Sequence, residues 1–257
     1  MFSCILRMET SQTKQETKTP KILVGVITYE GEKYCREVFF SYLKNLSMPH
    51  LSFVFVTNSG EDDAKDLRER AKQLQGTNAV FVSEKKEHVL DQIVVNRNIA
   101  REYFLASDCE YLYFIDSDVI GPKNAIEVLL SHNKKLTTGW YFATFNYNGK
   151  PRLLPVAYAF DKPGTVRQMK PQDVLVPRFG KIATAGLGCA LIHKSLFKDI
   201  SFRRANGTED SMFYQDVREK YNEDLWLDTR VGYWHLKFPP GDQRNNPYDP
   251  RRYALKK

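Results

Sequence analysis

From residue 22 onward, strand-length apolar runs alternate with helix-length amphipathic segments, and that alternation leaves the chain few architectures. Residues 22–28, Ile-Leu-Val-Gly-Val-Ile-Thr, are β-branched and nearly all apolar, as a strand covered on both faces would be. Residues 51–57 and 111–115 repeat that character, and 79–82 form a shorter run. Helical spacing of apolar residues fills the gaps over 34–46, 62–74 and 91–105, and 125–130 continue a helix that Pro122 suits as a start. Strands alternating with helices predict an α/β fold with a mostly parallel sheet and helices on both faces. Such sheets bind ligands outside the carboxyl ends of their strands. The residues to watch are therefore Thr28-Tyr29-Glu30, Asn58-Ser59 and Asp116-Ser117-Asp118.

The second half reads differently. Residues 136–145 and 153–160 predict strands separated by turns at Asn148-Gly149 and Lys162-Pro163-Gly164. Residues 182–185 and 189–192 flank Ala185-Gly186-Leu187-Gly188, a helix is expected over 209–221, and short strands over 225–227 and 231–235. Beyond Pro239 the chain is rich in Pro, Asn, Asp and Arg, which predicts a loop or tail. At 257 residues with 42% apolar content, one large domain with a real core is expected over 21–236. Residues 1–20 are expected as a disordered leader and 237–257 as a basic tail.

The net charge of +7 suits anionic partners, but its only local concentration is Arg251, Arg252, Lys256 and Lys257. Cys4, Cys35, Cys109 and Cys189 form no Cys-x-x-Cys pair, which argues against a zinc cluster and for a reducing, cytoplasmic setting. No apolar run approaches the roughly 20 residues that span a bilayer, and the start is too short and poorly flanked for a signal peptide. The basic tail leaves peripheral contact with an anionic membrane open.

Four local signals could carry chemistry. Asp116 and Asp118 flank one small residue at the end of a buried strand, where two carboxylates could hold Mn²⁺ or Mg²⁺ against a diphosphate; taken alone, such a pair is better explained as a solvated turn or a helix cap before Pro122. Arg97, in Asn96-Arg97-Asn98 at the head of the preceding helix, could bind phosphate or simply lie on the surface. Glu209 or Asp210 could take a proton from an acceptor hydroxyl, or cap a helix. His235 could join Asp118 on a metal, or be an ordinary core histidine.

Their order and spacing join them. Asn96-Arg97-Asn98-Ile99-Ala100-Arg101 followed by Tyr113-Phe114-Ile115-Asp116-Ser117-Asp118 resembles the donor half of GT-A glycosyltransferases, particularly the family-two-like group. Ala185-Gly186-Leu187-Gly188-Cys189-Ala190-Leu191-Ile192 is similar to that group's acceptor strand. Thr208-Glu209-Asp210 with Phe213, then Asp228-Thr229-Arg230-Val231 and His235-Leu236, are similar to its closing block. The likeness runs from about Lys21 to Leu236. It implies a Rossmann-like nucleotide-binding half over 21–135 and an acceptor-side half with a smaller mixed sheet over 136–236.

The resemblance also implies roles. Thr28, Tyr29, Glu30 and Asn58 would surround the nucleoside, Arg97 the donor phosphates, and Asp116 with Ser117 the ribose or metal. Asp118 and His235 would complete a Mn²⁺ or Mg²⁺ site with Asp116. Gly186 would leave room for a sugar, and Asp210, with Glu209 its nearest substitute, would be the base of an inverting hexosyl transfer. Partners would be a nucleotide-diphosphate sugar and a sugar, lipid or protein acceptor. This chain departs from the family pattern at Asn58, where an acid is common, and in carrying the extra acids Asp216, Glu223 and Asp224. A nucleotidyltransferase of similar fold is the main alternative, but Thr28-Tyr29-Glu30-Gly31-Glu32 is acidic and lacks a glycine-rich phosphate loop. A non-catalytic sugar-binding relative is a further alternative. A nucleic-acid-binding module is a weaker one, with no reader motif and nucleic acid not expected as a partner.

Overall fold

The computed structural model describes residues 19–253. The expected leader therefore falls, over residues 1–18, outside the described residues, as do Lys256 and Lys257 of the tail.

The first half follows the predicted alternation. Strands β1 (Ile22–Thr28), β2 (Leu51–Thr57), β3 (Asn78–Val82) and β4 (Tyr111–Ile115) are separated by helices α1 (Arg36–Lys44), α2 (Gly60–Ala71) and α3 (Val89–Ala106). A short β5 (Val119–Ile120) and α4 (Ala125–Leu130) follow. The helix expected over 34–46 is shorter, because a 3-10 turn, Glu30–Cys35, takes the chain out of β1 first.

The second half contains β6 (Leu136–Tyr147), β7 (Lys150–Pro155), β8 (Ala157–Phe160), β9 (Val166–Gln168), α5 (Pro171–Val174), β10 (Phe179–Ile182), β11 (Thr184–Ala185), β12 (Cys189–His193), α6 (Glu209–Tyr221) and β13 (Leu225–His235). The single strand expected over 153–160 is broken at Val156. Before that residue the chain pairs with β6, and after it the chain joins a separate three-stranded sheet ordered β11-β8-β9. The two strands expected over 225–227 and 231–235 are one, with a register shift between Leu227 and Gly232. Polar Asp228 remains inside that strand because Arg230 and His132 hold its buried carboxylate.

The main sheet runs β10-β13-β6-β12-β4-β1-β2-β3. The ladders β1–β2, β1–β4, β2–β3 and β6–β13 are parallel, and β12 is antiparallel between β4 and β6. Alternation along each strand builds two cores. Leu23, Val54, Val56, Leu112 and Phe114 pack with α3 and α6 on one face. Val24, Phe53, Phe55, Tyr113 and Ile115 pack with α1, α2 and α4 on the other. Each large apolar side chain so buried contributes about 1.5–3 kcal/mol by leaving water. Thr28 pairs with Thr57, so β1 and β2 end level. With β4 parallel to β1, the carboxyl ends of all three open on one edge.

Residues beyond Pro239, expected as a loop, are folded. Two 3-10 turns, Gln243–Tyr248 and Pro250–Tyr253, lie against β13. Asn245 is fully buried and supplies the partners that a Pro-rich backbone cannot: its Oδ1 accepts from Lys237 N (2.9 Å) and Phe238 N (3.0 Å), and its Nδ2 donates to Phe238 O (2.8 Å). Trp234 Nε1 donates to the Asn245 carbonyl at 3.1 Å, and Arg251 stacks over the Trp234 ring. No described helix is long and apolar enough to cross a membrane. Cys35, Cys109 and Cys189 are buried free thiols.

Candidate active site

A cleft of about 660 Å³ opens where β1, β2 and β4 end, between α3 and the start of α6. Every site residue expected from the sequence lines it except Glu30, Ser117 and Gly186. Glu30 opens the 3-10 turn and is exposed, its backbone N–H given to Ser59 Oγ at 2.8 Å. Ser117 is buried beneath the cleft, its hydroxyl bonded to Glu32 and its carbonyl accepting from Cys35 Sγ at 3.4 Å. A Cβ on Gly186 would meet the Tyr141 hydroxyl at 2.3 Å, so this glycine makes room for that tyrosine.

Arg97 lies in the middle of α3 rather than at its head. The helix turns its neighbours two ways. Asn98 and Arg101 point away, binding the backbone of Phe202, Ile200 and Phe197 at 2.6–2.8 Å, whereas Arg97 faces the cleft. Its guanidinium sits over the Phe114 ring, places Nη2 3.0 Å from Asp116 Oδ1, and leaves Nη1 buried without a partner among the described residues. Gly188 leaves the space that the Asp116 carboxylate occupies, since a Cβ there would meet its Oδ2 at 2.3 Å.

Asp118 and His235 meet as the resemblance implied. His235 Nδ1 lies 2.8 Å from the Phe142 carbonyl, which can only accept, so Nδ1 carries a proton and Nε2 faces Asp118 Oδ2 at 3.0 Å. The same oxygen accepts from Lys237 Nζ at 2.9 Å. Burial would raise the Asp118 carboxyl, but His235 and Lys237 outweigh it and hold the group down at about 2.

The expected metal centre is not assembled as predicted. Asp116 Oδ1 is paired with Arg97, and Asp118 Oδ2 with the Lys237 ammonium. Among the described residues no three His, Cys, Asp or Glu side chains converge to hold an ion. Mg²⁺ and its relatives are held through an oxygen-rich shell, and both acids of the turn already carry a cation, Asp116 through Arg97 and Asp118 through Lys237.

Two residues of the site carried no usable signal in sequence. Lys237 lay in what read as the start of a tail. Glu32 lay in an acidic run, and only the 3-10 turn, with Glu30 outward and Glu32 inward, distinguishes the two. Glu32 bonds Thr28 Oγ1 at 3.3 Å and the Ser117 hydroxyl. Burial, with Asp118 nearby, pushes its carboxyl up to about 8, so it is protonated at neutral pH.

Across the cleft, α6 begins with the two acids singled out earlier. Glu209 is buried and lies 3.5 Å from Arg97 Nε. Asp210 takes the backbone N–H of Ser211 at 2.6 Å and the Thr208 hydroxyl. Burial raises both carboxyls above their ordinary values, opposed by Arg97 at Glu209 and by Thr208 at Asp210. Glu209 is committed to Arg97, while Asp210 lines the cleft with no cation bonded to it among the described residues.

No protein-family model matches the chain, and no curated protein matches it in sequence. Solved structures do share its fold. The structure of S. aureus TarS 1-349 in complex with UDP is 16% identical over 83% of this chain and 59% of that one, with a TM-score of 0.55. The same fragment in complex with UDP-GlcNAc is 16% identical over 89% and 62%, with a TM-score of 0.54. The longer TarS structure is 17% identical over 86% of this chain, which spans 37% of it, with a TM-score of 0.54. The architecture is therefore GT-A-like, as the sequence predicts.

Proposed function

We propose that this chain transfers a hexosyl unit from a nucleotide-diphosphate sugar to an acceptor hydroxyl, inverting the anomeric carbon. One observation carries the reading. A single cleft at the carboxyl edge of the sheet is lined by Asp116, Asp118, Arg97 and Asp210, the last held by Thr208 and Ser211 and in no ion pair among the described residues. That structures of the same fold hold UDP and UDP-GlcNAc supports it.

In this reading the nucleoside lies over Thr28, Tyr29 and Asn58, at the ends of β1 and β2. The diphosphate faces Arg97, whose Nη1 still needs an acceptor. Asp116, locked by Arg97 and backed by Gly188, orients the ribose or sugar. Asp210 removes the acceptor proton, and the freed oxygen attacks from the face opposite the diphosphate. Inversion by one carboxylate follows the single-displacement logic of inverting glycosidases. A raised proton affinity makes Asp210 a better base near neutral pH. Nothing in this sequence of events is routed through a metal ion.

The test is Asp210→Asn. Turnover of UDP-GlcNAc or a related donor should fall by about 10²–10⁴-fold, the usual worth of a general base, while UDP affinity stays within about threefold, less than 1 kcal/mol. Near-normal turnover would remove Asp210 from the role.

A further inference from the structure

Resting on that donor-site reading, we propose that Lys237 is the cation that faces the donor's diphosphate, filling the place where the resemblance implies a metal ion. The ammonium of Lys237 stands 2.9 Å from Asp118 Oδ2 in the same cleft as Arg97. It has three N–H donors, and Asp118 is its single hydrogen-bond acceptor among the described residues. Two donors remain for a ligand. Arg97 adds the buried, unpartnered Nη1. Two cations with unspent donors, each tethered to one carboxylate of the Asp116-Ser117-Asp118 turn, are what a dianionic diphosphate requires.

The backbone around Lys237 is built to hold it there. Leu236 N donates to the Asp118 carbonyl at 2.7 Å, and Tyr34 Oη donates to the Leu236 carbonyl at 2.7 Å. Lys237 N is bonded to Asn245, the buried anchor of the C-terminal turns. The folded tail is thus a positioning element for the cleft. A flexible lysine on a fixed backbone can follow the phosphates as they leave.

The transfer balances without a further reagent. The bond between the anomeric carbon and the diphosphate oxygen breaks, its electron pair leaving on that oxygen beside Lys237 and Arg97. The acceptor oxygen forms the new bond to the anomeric carbon, and its proton passes to Asp210.

The experiment titrates UDP, GDP and CDP into the full chain by calorimetry, in EDTA and in Mn²⁺, for the wild type and for Lys237→Met, which keeps the apolar stem. Melting curves of both proteins verify folding. We expect at least one nucleotide to bind the wild type in EDTA, with Mn²⁺ changing its affinity by less than about threefold. Lys237→Met should weaken that binding at least about tenfold, the scale of a charge-assisted hydrogen bond. Asn245→Ala should raise the KM for the donor while leaving kcat closer to normal. Binding that appears only with Mn²⁺, or an unchanged affinity in Lys237→Met, would overturn the assignment and leave the donor-site reading standing. Failure of every nucleotide to bind, with metal or without, would overturn the donor-site reading itself.

Discussion

Replacing Glu32 by Gln isolates a strongly perturbed carboxyl in the cleft. Its value near 8 stands against an ordinary 4.5. Each tenfold change in proton affinity is about 1.4 kcal/mol, so the difference corresponds to at most about 5 kcal/mol. The folded value is the raised one. The fold therefore favours the protonated form, and the associated stability is complete below pH 4.5, declines as pH climbs, and is gone above about 8. Glutamine keeps the shape and cannot ionise, so Glu32→Gln escapes that decline. Urea denaturation of both proteins at intervals between pH 5 and pH 9 gives the gap directly. The gap in unfolding free energy should widen in favour of the variant by at least about 2 kcal/mol between pH 5 and pH 8, then level off. Turnover of the wild type should fall over the same rise, because an ionised Glu32 beside Asp118 sets a second negative charge against the donor phosphates. A gap that stays constant within about 0.5 kcal/mol would show that Glu32 is already ionised, and the reasoning about its burial would fail.

Gly188→Ala pushes a methyl into Asp116 Oδ2 at 2.3 Å and so displaces the carboxylate from Arg97. Stability should fall by about 1–3 kcal/mol in thermal denaturation, with a larger loss in donor turnover; unchanged turnover would release Asp116 from the site. Asn245→Ala strips backbone groups of Lys237 and Phe238 of their partner. Because Asn245 is fully buried, those groups lose their partners, and the cost should be about 2 kcal/mol, or a Tm lower by roughly 4–8 °C. An unchanged Tm would mean that the C-terminal turns are not part of the cooperative fold.

Much of this architecture was legible because its elements carry complete local signals. Residues 51–57 and 111–115 are mostly apolar, as strands covered on both faces must be, and they form β2 and β4 to the residue. Helix α6 begins at Glu209, where acids favour the positive end of the helix dipole, and ends at Asn222 in the left-handed conformation. The carboxyl-edge rule then located Thr28, Asn58, Asp116 and Asp118 without any side-chain information. Lys237 and Glu32 were not legible, because each owes its role to a neighbour far away in the chain. Lys237 is aimed by Asn245 and held by Asp118, and Glu32 is turned inward by a 3-10 turn that no periodicity announces. The tail was misread for a related reason. Its Pro- and Asn-rich composition does describe a chain with few regular hydrogen bonds, but the buried amide of Asn245 supplies partners from a side chain instead. Gly186 and Gly188 looked alike in sequence, yet one accommodates Tyr141 and the other Asp116.

The central claim is that the cleft at the ends of β1, β2 and β4 takes a nucleotide-diphosphate sugar. Thermal denaturation of the full chain with UDP-GlcNAc and with the corresponding GDP-, CDP- and TDP-sugars tests it most directly. A donor present at 100 times its Kd stabilises the fold by about 2.7 kcal/mol, which in a chain of this size raises Tm by roughly 5 °C. The account predicts that rise for at least one of these sugars and its absence in Arg97→Ala. A Tm that no nucleotide-diphosphate sugar moves, or a rise that persists in full without the Arg97 guanidinium, would contradict it.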